Sequence, residues 1–280
     1  MTERLDVRKT YKLYINGAFP RSESGRSYPV STAQGAFLAN AAQASRKDAR
    51  DAVVAARGAF GGWSRATAYN RGQILYRIAE MMEGRRGQFA DEIQAAEGVD
   101  RTSAEVSVDA AIDRWVWYAG WSDKIATVLG SSNSVAGPYF NFSVPEPTGV
   151  VAGIAPQDSS LLGLVSVIAP ILVSGNTAVI IASTPRPTPA VTLTEAMATS
   201  DLPAGVLNLL TGEASEIAPW LASHADVNAL DLTGIIDPSL EASLAAAAAD
   251  TVKRVLPAAP AADWSADPGL GRIRAFVETK

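Results

Sequence analysis

Between Pro147 and Gly234 the chain alternates short β-branched runs with longer segments of helical periodicity, and that alternation limits the folds open to it. Strand-like runs fall near 149–155, 177–182, 205–210 and 227–232. Helix-like segments fall near 160–173, 188–199 and 213–222. Parallel strands need crossovers of a dozen or more residues, which the helical segments provide. The expected class is α/β, with a Rossmann-like doubly wound parallel sheet. A fifth short strand over 252–256 is expected to follow an alanine-rich helix over 240–250.

The flanks read differently. Asn16-Gly17 marks the tip of a hairpin within 11–30. Helices are expected over 46–60, where Gly61-Gly62 stops the first, then over 68–83, 88–96 and 103–129. Trp115, Trp117, Tyr118 and Trp121 form an aromatic cluster on the last of these. Helix packing or a subunit interface is the expectation for it, rather than a ligand cage. Residues 139–144 alternate with a period of two, which predicts an exposed strand able to bind a partner through its free edge. Residues 257–263 read as a linker, and the chain ends in a strand-like tail around 272–280.

Composition excludes several functions. The net charge of −5 gives no electrostatic case for nucleic acid or an anionic membrane surface. No apolar run approaches the ~18–20 residues of a bilayer span. The N-terminus is polar and lacks the apolar core of a signal segment. Cysteine is absent, so disulfides, thiolate metal sites and thiol nucleophiles are all excluded, and no metal site is expected. The expected location is cytoplasmic.

Four phrases make the central stretch more specific than its pattern. Glu146-Pro147 is followed by Gly149-Val150-Val151. Gly175-Asn176-Thr177 opens the second strand. Leu202-Pro203 precedes Gly205-Val206-Leu207-Asn208, with Thr211-Gly212 just after. Thr233-Gly234 closes the series. In order and spacing they resemble the cofactor-binding half of the NAD(P)-dependent aldehyde dehydrogenase superfamily. The resemblance runs over roughly 11–256, with a weaker echo at 270–280. It implies a cofactor-type domain over 1–262, including an oligomerisation hairpin at about 125–148. A linker and C-terminal oligomerisation strand would follow over 263–280, with the catalytic domain absent. Tyr139, Phe140 and Phe142 in the hairpin and Arg272, Ile273 and Phe276 in the tail are the expected interface residues.

The same resemblance places the reagents such an enzyme needs on residues that cannot supply them. Aldehyde oxidation requires a thiolate, an oxyanion donor, a base for water and a seated nicotinamide. Asp158 stands where the family carries its oxyanion asparagine, and an ionised carboxylate there would repel the developing charge. Ala258 stands at the base glutamate. Ile181 replaces the lysine that holds the cofactor ribose, with Arg186 nearby as its one substitute. Ile235 follows Thr233-Gly234 and is expected to crowd the helix N-terminus that would hold a pyrophosphate. The degenerate cofactor pocket is thus expected at Ala155, Pro156, Ile181, Ser183, Gly212, Thr233, Gly234 and Ile235. The single histidine, His224, reads as part of a turn.

The expected function is a noncatalytic aldehyde-dehydrogenase-like subunit that assembles with, and stabilises or regulates, an active aldehyde dehydrogenase. A homo-oligomer is the fallback. No cofactor is expected beyond NAD or NADP as a vestigial ligand. The alternatives are an NAD(P)-dependent aldehyde oxidoreductase with residual or altered activity and a free-standing nucleotide-binding module.

Overall fold

The computed structural model describes residues 9–280. The first residues of the expected 1–262 domain, and most of the polar N-terminal stretch, lie outside the described residues.

The chain opens on β1 (Thr10–Tyr11), β2 (Ser27–Ser31) and β3 (Phe37–Ala42), which form a small sheet with β3 in the middle. The Asn16-Gly17 tip forms as the sequence predicts. Both residues have positive φ, 52° and 76°, as a tight two-residue turn demands, and Ile15 and Ala18 exchange hydrogen bonds across it.

Five helices follow: α1 (Arg46–Arg65), α2 (Ala68–Glu83), α3 (Arg86–Glu97), α4 (Arg101–Trp121) and α5 (Ile125–Leu129). Two boundaries depart from the sequence reading. Helix α1 runs through Gly61-Gly62, because Trp63 is buried and its indole N–H donates to the carbonyl of Leu172 at 3.0 Å. Glycine costs a helix only about 1 kcal/mol per residue, less than burial of a tryptophan contributes. The single helix expected over 103–129 is two, because the chain turns at Ser122-Asp123-Lys124. There Ser122 packs so closely on Gly72 that a side chain at position 72 would collide with it.

A short hairpin, β4 (Ser131–Asn133) with β5 (Asn141–Ser143), projects next, and β6 (Pro145–Pro147) leads into the main sheet. That sheet comprises β7 (Val150–Ile154), β8 (Thr177–Ile181), β9 (Leu207–Leu210), β10 (Ala229–Asp231) and β11 (Arg254–Leu256). All its pairings are parallel, in the order β11-β10-β7-β8-β9. The crossovers are α6 (Leu162–Val173), α7 (Thr188–Met197), α8 (Ala214–Ser223) and α9 (Pro238–Ala249). The strand order reverses between β7 and β10, so the sheet is doubly wound as expected, with its switch point there.

Each face of the sheet carries its own core. Helices α6 and α7 pack with α2, α3 and α4 on one side, where Trp115 and Tyr118 are fully buried. Helices α1, α8 and α9 cover the other. The aromatic cluster is therefore helix packing: Trp117 meets Tyr118 edge-on at 4.8 Å and Trp121 at 5.5 Å. The edge of β9 is closed by Tyr14, which exchanges backbone bonds of 2.9 and 2.7 Å with Leu209.

The C-terminal tail differs from expectation. Its first part is helical, α10 (Gly271–Ala275), and only β12 (Val277–Thr279) is a strand. Strand β12 pairs antiparallel with β6 of its own chain. Ile273 and Phe276, expected at a subunit interface, are wholly buried in the chain's own core. Arg272 is turned inward, its side chain 17% exposed. The cause is the apolar face of α6, which α10 covers. Of the expected interface residues, Tyr139, Phe140 and Phe142 remain exposed. No helix among the described residues is long and apolar enough to cross a membrane.

Candidate functional site

The loops at the carboxyl ends of the parallel strands converge on a groove of about 820 Å³. Gln157 follows β7, Thr184 and Arg186 follow β8, Glu213 follows β9, and Gly234 and Ile235 follow β10. The β2 segment around Tyr28 and Ser31 forms the outer wall, and Leu240 of α9 closes the far side. In open α/β sheets the crevice beyond the carboxyl ends, at the switch point, is where ligands bind.

Gln157 ties the floor together. Its amide N–H donates to the Ala155 carbonyl at 2.7 Å, and its side-chain oxygen accepts from the Thr184 N–H at 3.0 Å. The Ser183 hydroxyl donates to the Gln157 carbonyl at 3.2 Å, so the loops after β7 and β8 are bonded to each other. Three residues farther along, Glu97 of α3 accepts from both the N–H and the hydroxyl of Ser160, at 2.7 and 2.6 Å. Gly234 needs to be glycine for space: a Cβ there would stand inside contact distance of the Ala155 carbonyl and 2.7 Å from that of Ile154. The backbone of the β10 loop thereby lies directly on the end of β7.

The groove's outer wall is also fixed. The Tyr28 hydroxyl donates to the Thr184 carbonyl at 3.1 Å, and the Thr184 hydroxyl donates to the Gly212 carbonyl at 2.8 Å. Burial, and secondarily the charge of Glu213, holds the Tyr28 phenol well above its ordinary pKa, so it stays a donor. The first turn of α8, Ala214 and Ser215, faces the groove with no side chain capping it. At α9 the end is closed by its own cap, with Asp237 accepting from the Ser239 N–H at 2.9 Å.

Of the sequence-predicted pocket, Gly234 and Ile235 line the groove. Ala155, Pro156, Ser183 and Gly212 form the layer beneath it, all buried. Thr233 is buried and bonded to Asp231. Ile181 is wholly buried among Val179, Leu210 and Ile154. Ile235, two residues before the α9 cap Asp237, is only 3% exposed and packs in the same core while lining the groove. Asp158 is exposed and does not cap α6; the Ser159 hydroxyl accepts from the Gly163 N–H at 2.9 Å instead. Ala258 is held by its N–H, which donates to Glu241 at 2.8 Å. His224 accepts from the Asp226 N–H at 3.1 Å and serves a turn. Sequence reasoning missed Tyr28, Ser31 and Leu240, which come from β2 and α9 and carry no motif of their own.

A doubly wound parallel sheet with a groove beyond its switch point is the architecture of ligand-binding α/β domains. The aldehyde dehydrogenase family profile matches residues 20–260, so the chain belongs to the aldehyde dehydrogenase family. It is 31% identical over 224 residues to the D-glyceraldehyde dehydrogenase (NADP(+)) of Thermoplasma acidophilum, covering 80% of this chain and 45% of that protein. It is 34% identical over 238 residues to human retinal dehydrogenase 2, covering 83% of this chain and 45% of that one. The NAD+ complex of the Bacillus cereus aldehyde dehydrogenase superposes with a TM-score of 0.83 at 25% identity, over 88% of this chain and 50% of that one. A Staphylococcus aureus betaine aldehyde dehydrogenase in complex with NAD+ gives 0.82 at 26% identity, over 88% and 49%. The chain spans about half the length of the relatives it matches.

These findings overturn the expectation that no cofactor is bound. The half of the family fold that this chain keeps is the cofactor-binding half, and the Bacillus cereus and Staphylococcus aureus structures it superposes on are NAD+ complexes. Ile181 turns into the core and does not line the groove, whereas Ile235 packs in the core and also lines the groove.

Proposed function

We propose that this chain is a noncatalytic aldehyde-dehydrogenase-like subunit that binds a nicotinamide dinucleotide and assembles with an active aldehyde dehydrogenase. The observation that carries the reading is the open groove at the carboxyl ends of β7, β8, β9 and β10, next to the switch point. Its volume lies within the ~300–1,000 Å³ of ordinary ligand sites. The apolar flanks from Leu240, Val30 and Pro185 suit an adenine, and the free N–H groups of the α8 first turn suit an anion. When bound, the dinucleotide supplies a hydride acceptor. The chain's own residues hold it and fix its loops through Gln157.

Two observations support the noncatalytic part. These 280 residues contain no cysteine, so they offer no thiolate to attack an aldehyde. Asp158 brings a carboxylate, not a hydrogen-bond donor, to the place where the family carries its oxyanion asparagine. Assembly is supported by the hairpin tip, where Tyr139 is 77% exposed, Phe140 80% and Phe142 55%. The two phenylalanine rings lie 5.3 Å apart and form a small apolar patch. A cytoplasmic setting belongs to the same proposal.

Calorimetry with NAD+ and NADP+ tests the binding, and nicotinamide absorbance with mixed aldehydes tests the chemistry. The expected result is micromolar-range binding of a dinucleotide with no turnover by the 280-residue chain. Absence of binding to either dinucleotide, or turnover in a preparation free of other dehydrogenases, would overturn it. Sedimentation with a full-length aldehyde dehydrogenase should show a complex, and proline at Phe140 and Phe142 should abolish it by removing ladder donors.

A further inference from the structure

We propose that a second site, in the notch between the start of α1 and the end of α8, binds a phosphoryl dianion. The groove meets the first turn of α8, and the notch lies at that helix's other end, so the inference does not depend on what the groove holds.

The notch has a volume of about 270 Å³, and across it Arg46 and Arg50 of α1 face Trp220, Leu221 and His224. Its donors come from both helices. The Arg46 guanidinium lies over the Trp220 ring, 3.8 Å from its centroid, which holds the group while leaving its N–H fork available. Among the described residues Arg46 pairs with no carboxylate. The acids around it are engaged elsewhere: Glu23 by Lys47, Asp51 by Arg50 and Glu216 by Arg26, while Asp48 is buried in the capping box of α1. Arg50 bonds Asp51 through Nε and Nη2, at 3.1 and 2.8 Å, and keeps Nη1. His224 accepts the Asp226 N–H on Nδ1, so the neutral ring carries its proton on Nε2 and donates from there.

The placement of the cations is an independent argument. Arg46 and Lys47 open α1, and Arg50 follows one turn on. Cations at a helix N-terminus oppose the macrodipole. The helix does not need them there, because the Ser45 hydroxyl already accepts from the Lys47 and Asp48 N–H groups. An anion held between the two guanidiniums offsets that repulsion. One guanidinium fork satisfies a planar carboxylate, whereas donors converging from Arg46, Arg50 and His224 suit a tetrahedral phosphoryl group. The apolar wall of Trp220 and Leu221 leaves room for the organic part of a small phosphomonoester.

The chain has a single histidine, so its imidazole NMR resonances report on the notch alone. The test titrates the 280-residue protein with inorganic phosphate, phenyl phosphate and acetate, at equal ionic strength and one mildly alkaline pH where phosphate is dianionic. Both phosphates should shift the resonances saturably, and acetate should not. Tighter binding of phenyl phosphate assigns the site to an ester and equal binding assigns it to free phosphate; either supports the site. Arg46→Gln should weaken phosphate binding at least about tenfold, through loss of a charge-assisted contact. It should not lower the melting temperature, because Arg46 is exposed and its charge opposes the helix dipole. Resonances that stay fixed in phosphate, move equally in acetate, or respond alike in Arg46→Gln overturn the inference.

Discussion

Arg272, at the start of the tail helix, forms an ion pair with Asp231, the wholly buried last residue of β10. The same guanidinium donates to the Thr233 hydroxyl at 3.2 Å and lies 5.7 Å from the Trp264 ring. Asp231 in turn accepts from the Thr233 N–H at 3.1 Å, so the loop that carries Gly234 is anchored through this pair. The tail thus fixes one wall of the groove from beneath.

Removing one partner of a buried pair leaves an uncompensated charge and costs about 3–5 kcal/mol. Arg272→Met should lower unfolding stability by that amount in urea titrations, and Asp231→Asn/Arg272→Met together should cost less than the two singly added. Additive losses would show that the pair contributes no coupling.

Deleting residues 271–280 should destabilise the fold itself. Ile273 and Phe276 are fully buried, and the backbone of β12 satisfies β6, with Val144 and Lys280 exchanging bonds of 2.8 and 3.0 Å. Burying a large aliphatic or aromatic side chain contributes about 1.5–3 kcal/mol. The truncated chain should therefore melt at a lower temperature and bind an exposed-surface dye. Unchanged melting would mean that the tail is an accessory to the body.

The sheet was legible because its signals are local: apolar runs, crossover-length helices, and turn residues at strand ends. Side-chain direction was not. Ile181 and Ile235 sit at motif positions, yet each turns into the core beneath α8 and α9, and only the packed sheet shows it. The tail read as an unpaired strand because sequence gives no register, and β6, two prolines around Glu146, carries no strand signal. Arg186 stood out only as a nearby cation; its lack of a carboxylate partner among the described residues is a tertiary fact.

Gly234→Ala should damage stability and binding together. The added methyl would press on the Ala155 and Ile154 carbonyls, both backbone atoms that cannot swing aside. Overpacking of this kind typically costs about 1–3 kcal/mol. Dinucleotide affinity should fall at least about tenfold, since the β10 loop must lift away from β7. Gly62→Ala, which meets open space on α1, is the control: it should leave affinity within error and raise stability by up to about 1 kcal/mol, the opposite sign.

Glu92 of α3 should make stability depend on pH near neutrality. Burial raises its carboxyl pKa from 4.5 to about 7, against hydrogen bonds from Thr192 at 2.8 Å and Gln88 at 3.2 Å and the charge of Lys9, while Glu195 adds to the rise. Its Oε2 is buried without a partner, and the Tyr11 hydroxyl reaches Oε1 at 3.5 Å. With the folded value above the unfolded one, the folded chain keeps a proton that the unfolded chain has lost between pH 4.5 and about 7. Stability therefore falls as pH rises through that window and levels off above it. The drop should reach about 3 kcal/mol at most, because a tenfold change in proton affinity is worth about 1.4 kcal/mol. Glu92→Gln keeps the acceptor for Thr192 and removes the charge. Urea titrations of this variant from mildly acidic to mildly alkaline pH should show a flatter profile, and greater stability than the unmodified chain on the alkaline side. A variant that tracks the unmodified protein across the whole range would remove Glu92 from the account.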